Sequence, residues 1–200
     1  MEATPCGFES HLRHLANQMT TQSFSNRRVK IETLSPKDLS KARNFLIYIN
    51  SLIEEDAQIL LNKKLTLKEE KEWLKAKINN VKNKKEVILV AKDKNKIAGI
   101  AQIELKIGRA NHVGELGISV GREYRGIGLG KYLMGEILKL AKTNLRPRPK
   151  IIRLSLLSTN KIAENLYQKM NFKIVGKIPQ QLQYKGKLVD EIIMLRRVQP

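Results

Sequence analysis

Gly114-Glu115-Leu116-Gly117-Ile118-Ser119-Val120-Gly121-Arg122-Glu123-Tyr124-Arg125-Gly126-Ile127-Gly128-Leu129-Gly130-Lys131 reads as a strand, a glycine loop and the start of a helix. Apolar residues alternate up to Val120, glycines stand at 126, 128 and 130, and an apolar stripe of helical period opens at Leu129. Without side chains, backbone N–H groups can converge there. The helix start adds unpaired donors and a partial positive charge, so the stretch is a ready phosphate site. A P-loop fails at both ends: with Gly130-Lys131 fixed, its first glycine would be Arg125 and its hydroxyl Tyr132. A dinucleotide fingerprint fails too, because its third glycine would fall on Lys131 or Leu133. The spacing that fits is Arg-x-x-Gly-x-Gly at Arg125, Gly128 and Gly130.

The flanks extend the pattern on both sides. Val29–Leu34 is a short strand, and Ser35-Pro36 opens a helix to about Ser51. Thr66-Leu67-Lys68-Glu69 has capping-box spacing and opens a second helix to about Lys82. Glu86–Ala91 and Ile97–Ile107 flank a polar turn and read as a hairpin, followed by the strand Val113–Val120. Leu129–Thr143 is helical, Ile151–Leu157 a strand, and Lys161–Met170 a helix. Phe172–Gln181 and Leu188–Arg196 are the last two strands. The order implies an α/β fold: one domain over 29–198, with a mixed, mostly antiparallel sheet of six or seven strands and about four helices.

Two hundred residues suffice for one such core, and 42% hydrophobic content argues against disorder. No apolar run reaches the length of a membrane span. The single cysteine, Cys6, excludes an internal disulfide and a multi-cysteine zinc site, and no metal is expected. These features fit a soluble, reduced, cytoplasmic protein without a membrane partner. The net charge of +19 suggests nucleic acid or an anionic small molecule, yet no aromatic-basic interleaving supports base stacking. Between Val120 and Lys150, eight Lys and Arg stand against Glu123 and Glu136, so a third of the excess lies in or just after the glycine loop. Residues 1–28 show no period and are expected to be an unstructured extension. Gly7–Leu12 can be back-translated into a string resembling the T-arm of a transfer-RNA gene. Residues 1–18 are therefore expected to be read-through, with Met19 the natural start and Cys6, His11 and His14 mere tail residues.

The glycine loop resembles the acyl-CoA-binding motif of the GNAT superfamily of N-acetyltransferases. A second block, Asn160-x-x-Ala163-x-x-x-Tyr167-x-x-Met170-x-Phe172, is similar to that family's signature after the fifth strand, with Asn171 in place of the usual glycine. Asn also tolerates the left-handed conformation, so this departure is mild. The resemblance covers nearly the whole domain. It implies acetyl-CoA as acyl donor and direct attack by a primary amine, of a protein or of a small molecule. Arg125, Gly126, Ile127, Gly128, Leu129, Gly130 and Lys131 would cradle the pyrophosphate. Ile118, Ser119 and Val120 would meet the pantetheine arm and polarise the thioester. Asn160 would touch the cofactor or steady its loop, and Tyr167 would protonate the departing thiolate.

Glu115 is the candidate base, as the only carboxylate on the motif strand. Alternation places it with Ser119 on the face opposite Leu116, Ile118 and Val120. Some family members carry a glutamate on the fifth strand, where this chain has Ser155. Stripping a lysine amine at pH 7 costs about 4–5 kcal/mol, against about 1–1.5 kcal/mol for an α-amine, so the need for a base depends on the acceptor. The ending Gly186-x-x-x-Asp190-Glu191-x-x-Met194 looks like the ribosomal-protein and polyamine acetyltransferase branch. So basic a body would repel free polyamines and favour a ribosome-associated or acidic partner, unless Glu54, Glu55 and Asp56 reverse the local field. The alternative is an inactive module of the same fold that binds CoA, or RNA, through its basic surface.

Overall fold

The computed structural model describes residues 20–199. The expected read-through segment 1–18, with Cys6, His11 and His14, lies outside the described residues. In chain order the elements are β1 (Thr20–Phe24), β2 (Arg27–Thr33), α1 (Ala42–Glu54), α2 (Leu67–Lys82), β3 (Glu86–Asp93), β4 (Lys96–Leu105), β5 (Val113–Val120), α3 (Leu129–Asn144), β6 (Ile151–Leu157), α4 (Lys161–Lys169), β7 (Lys173–Tyr184) and β8 (Lys187–Arg197). They form one α/β domain around an eight-stranded sheet ordered β1-β2-β3-β4-β5-β6-β8-β7. Every neighbouring pair is antiparallel except β5 and β6, which the α3 crossover makes parallel.

Two expectations change. The stretch thought unstructured through residue 28 contains β1, which pairs with β2 from Thr20↔Ile31 to Phe24↔Arg27 and raises the strand count to eight. Only Phe24 of β1 is buried, so backbone pairing rather than an apolar face orders this edge strand. The helix expected from Ser35-Pro36 begins as a tighter 3-10 segment, Pro36–Lys41, and becomes α-helical at Ala42. The Asp38 carboxylate there accepts the Ser35 N–H at 2.9 Å. At α2 the capping box forms as read: the Glu69 carboxylate accepts the Thr66 N–H at 2.7 Å, and Thr66 Oγ1 accepts the Glu69 N–H at 3.3 Å.

Each face of the sheet buries its own core. On one face, Leu129, Leu133, Met134, Ile137 and Ala141 of α3 pack with Tyr167 of α4 against Ala101, Ile103, Ile152 and Leu154. On the other, Phe45, Tyr48 and Leu52 of α1 and Leu74 of α2 cover Ile88, Val90 and Ile97. Polar groups under the second half of α2 are paired. Lys77 Nζ lies 2.9 Å from the fully buried Glu86 and 2.7 Å from Glu104, and Asn80 reaches both carboxylates. Burial alone would lower the Lys77 ammonium, but Glu104 and Glu86 outweigh it and hold it above its ordinary value. Lys92 likewise joins Glu32 to the buried Asp38.

Candidate acyl-donor and acceptor site

The sheet opens where the glycine loop begins. β5 and β6 pair only at Val113↔Ile151, Gly114↔Ile152 and Glu115↔Arg153, and then diverge. Leu116–Val120 stay paired with β4, and Leu154–Leu157 with β8, so a wedge-shaped gap separates two intact half-sheets.

At the wide end of that gap the backbone is bare. Gly126 and Gly128 have φ of +77° and +90°, a region that glycine enters without the strain an L side chain suffers. No side chain caps α3, whose N-cap position is Gly128. Among the described residues no acceptor takes the N–H of Gly126, Ile127, Gly128, Leu129, Gly130 or Lys131. Six consecutive donors at the start of a 16-residue helix are left for an anion. A Cβ on Gly126 or Gly128 would meet nothing within 4 Å, so the space above them is open. These features fit the pyrophosphate of CoA.

The Arg125 side chain turns away from this cradle. Its Nε donates to the Val120 carbonyl at 2.9 Å, and its guanidinium pairs with Glu55, just beyond α1. The loop after α1 is thus tied to the cofactor loop. Ser119 Oγ and Tyr48 Oη share a hydrogen bond of 2.8 Å, and burial pushes the Tyr48 phenol up. Nothing in the residue pattern marks Tyr48, because the stripe Phe45, Tyr48 and Leu52 reads simply as core.

Tyr167 packs on the α3 side, its ring 6.1 Å from Phe172. Its neighbour Leu166 lies 3.9 Å from where a Cβ on Gly130 would sit, and Val120 lies 3.6 Å from it, which brings α4 against the mouth of the gap. Burial pushes the Tyr167 phenol up to about 12, and its hydroxyl has no hydrogen-bond partner among the described residues. Asn160 caps α4, its Oδ1 accepting the Ala163 N–H at 3.2 Å. Asn171 adopts φ +62°, as a residue standing in for glycine must.

Glu115 shares the Ser119 face, as alternation requires, but sits at the closed apex of the gap. Arg153 Nη1 and Lys106 Nζ each lie 3.0 Å from its carboxylate. It also continues a row across four strands, Glu86↔Glu104↔Glu115↔Arg153. A second carboxylate on this face was not singled out for chemistry from sequence. Glu191 of β8 stands opposite Leu157, two positions along from Ser155↔Ile193, and has no ion-pair partner among the described residues. Above this floor the hairpin of β7 and β8 reaches across, and Tyr184 Oη donates to the Asp56 carbonyl at 3.1 Å.

An anion cradle at a helix start, beside a sheet parted at its one parallel pair, defines the coenzyme A-dependent acyltransferase class. The acetyltransferase (GNAT) family model matches residues 51–172, and the chain belongs to that family of N-acetyltransferases, whose acyl donor is acetyl-CoA. The fold is similar to a GNAT-family acetyltransferase from Streptococcus pneumoniae, with 27% identity, TM-score 0.74, and coverage of 86% of this chain and 99% of that one. A ribosomal-protein-alanine N-acetyltransferase from Brucella melitensis is 21% identical, TM-score 0.71, over 84% of this chain and 99% of that one. An acetyltransferase from Salmonella typhimurium, solved with its cofactor acetyl-CoA, is 16% identical, TM-score 0.69, over 92% and 95%. No curated protein matches the chain by sequence. Among the described residues no His, Cys, Asp and Glu group could hold a metal, and no helix is long and apolar enough to cross a membrane.

Proposed function

We propose that the protein acetylates a primary amine of a protein, preferring an α-amine, with a ribosome-associated protein as the acceptor. The observation that carries the donor half is the row of six unpaired N–H groups from Gly126 to Lys131 beside the gap. Those donors would hold the pyrophosphate, with Ile118, Ser119 and Val120 along the arm and Asn160 steadying the turn after β6. Bound acetyl-CoA supplies an acetyl group activated as a thioester.

Tyr167 offers an O–H to the departing sulfur. With its phenol near 12 it stays protonated across the whole assay range and can donate a hydrogen bond to the sulfur as negative charge develops there. A thiol of pKa about 8.5 is the stronger acid, so the sulfur can leave as a thiolate steadied by that bond. Glu115, fixed by Arg153 and Lys106, holds the apex and orients the floor. That supports an acceptor needing little help to lose its proton, an α-amine rather than a lysine. The unpaired Glu191, with Asp56 at the rim, supplies negative charge that would draw an ammonium into an otherwise basic molecule. The likeness to a ribosomal-protein-alanine acetyltransferase supports the same acceptor class.

The test is a panel of N-terminal peptides, lysine peptides with blocked α-amines, polyamines and aminoglycosides, read by free thiol release from acetyl-CoA. Peptides with a free α-amine should react fastest. Preference for a polyamine overturns the acceptor, and silence across the panel favours a binding module. Tyr167→Phe should lower kcat about 100-fold while leaving the KM for acetyl-CoA within about threefold, the size expected of a lost hydrogen bond to developing charge.

A further inference from the structure

Four turns meet at the end of the sheet away from the cradle. The Arg146 N–H donates to the Lys84 carbonyl at 2.9 Å, and the Leu105 N–H to the Lys85 carbonyl at 2.8 Å. The Lys150 N–H donates to the His112 carbonyl at 2.8 Å, and the Val198 N–H to the Lys150 carbonyl at 2.9 Å. These bonds draw together residues 83–85, 106–112, 145–150 and 196–199, none of which is Asp or Glu. Lys84, Lys85, Arg109, Arg146, Arg148 and Lys150 are all exposed there, and none pairs with a carboxylate among the described residues. The nearest carboxylates on the sheet, Glu86, Glu104 and Glu115, are already held by Lys77, Lys106 and Arg153. β5 runs from this end to the cradle, so about 23 Å separates the two at roughly 3.3 Å per residue.

Helix termini explain part of the cluster. α2 and α3 both end here, and Arg146 Nη1 donates to the Thr143 and Leu145 carbonyls at 2.9 and 2.7 Å, as a cation at a helix C-terminus does. That leaves Arg109, on the connection between β4 and β5, and Arg148 and Lys150, between α3 and β6, with no α-helix end to serve.

We propose that this basic end is a second binding surface, independent of acetyl-CoA, for the phosphate backbone of RNA. The inference goes beyond the acetyl-transfer reading and does not depend on it. The turns carry no Phe, Tyr or Trp, and their single ring, the half-buried His112, makes no stacking platform, so contact is with phosphates and insensitive to base sequence. They form an irregular ridge and lay no helix along a duplex groove, which argues for RNA over DNA. Ile107, 91% exposed, is the one large apolar side chain on the ridge, too little for a face that enters a bilayer.

The test uses the full chain and a fluorescein-labelled single-stranded RNA of about 20 nucleotides, read by anisotropy between about 50 and 200 mM salt. The variant Lys84→Glu/Lys85→Glu/Arg148→Glu/Lys150→Glu should weaken binding at least 30-fold at about 100 mM salt and lower the log–log salt slope by about 3. A charge-matched control, Lys37→Glu/Lys68→Glu/Lys71→Glu/Lys75→Glu, should lose less than about threefold. Acetyl-CoA at saturation should leave binding unchanged, and both variants should retain acetyl transfer. Equal losses in the two variants, or displacement of RNA by acetyl-CoA, overturn the proposal. So does binding to phosphatidylserine vesicles or duplex DNA that exceeds binding to RNA.

Discussion

The polar groups beneath α2 and those at the start of α3 follow opposite rules. Under α2, the buried Glu86 carboxylate, the Lys77 ammonium, the Asn80 amide and the half-exposed Glu104 close on one another. At the start of α3, six backbone donors in a row find no acceptor among the described residues. The charges buried here are given partners, because an unpaired buried charge costs several kcal/mol. The buried acid of α2 without a countercharge among the described residues, Glu70, is pushed toward its neutral form instead. Groups left unpaired at an open surface cost little while water serves them, and they become a site when a matching anion arrives. Stability thus resides in the paired region and recognition in the open one.

Breaking the closed side should produce the largest effect. Lys77→Met strands Glu86 in the core and should lower unfolding free energy by about 3–5 kcal/mol in urea titration, with acetyl-CoA affinity of the folded protein unchanged. An equal loss of affinity would mean that the two regions are not separable. On the open side, Gly128→Val forces a branched side chain into φ +90° and crowds the cradle. The dissociation constant for acetyl-CoA should rise about 100-fold by calorimetry, with the melting temperature only a few degrees lower.

Glu70 sharpens the comparison, being a buried carboxylate of α2 without a countercharge. Burial pushes it from 4.5 up to about 7. Between those values the native state keeps a proton that the unfolded chain has lost, so stability falls as pH rises through that window. Glu70→Gln should therefore stabilise the protein by about 2 kcal/mol at pH 8 and by nothing below about pH 4.5, measured by thermal melts across pH. The smallest change belongs to the acceptor floor. Glu191→Gln should raise the KM for a peptide acceptor about tenfold with acetyl-CoA affinity intact, and an unchanged KM would remove Glu191 from the acceptor site.

Local signals carried most of the fold. The capping box at Thr66 and Glu69, the strands Val113–Val120 and Ile151–Leu157, and the α3 stripe all depend on neighbours in sequence, and they stand where the residues place them. β1 was illegible because Thr-Thr-Gln-Ser-Phe buries a single side chain, and backbone pairing leaves no trace in composition. The donor cradle was legible because glycine spacing is itself the structural instruction. The acceptor side was not, since Arg125 meets Glu55 across 70 positions and Glu115 meets Arg153 across 38. Glu191 reaches the floor only because β8, not β7, lies beside β6.

The parting of β5 from β6 has a consequence for colloidal behaviour. Beyond Glu115, each strand turns one side of its backbone toward the gap, so the middle of the sheet holds two strand edges of the kind usually confined to its rim. Such edges invite pairing by any extended chain. In this protein they face each other across the gap between two half-sheets, not outward from the rim. The same opening proposed for the acyl donor is therefore also a pair of unsatisfied strand edges, and a ligand that bonded to them would close a place where another chain could pair.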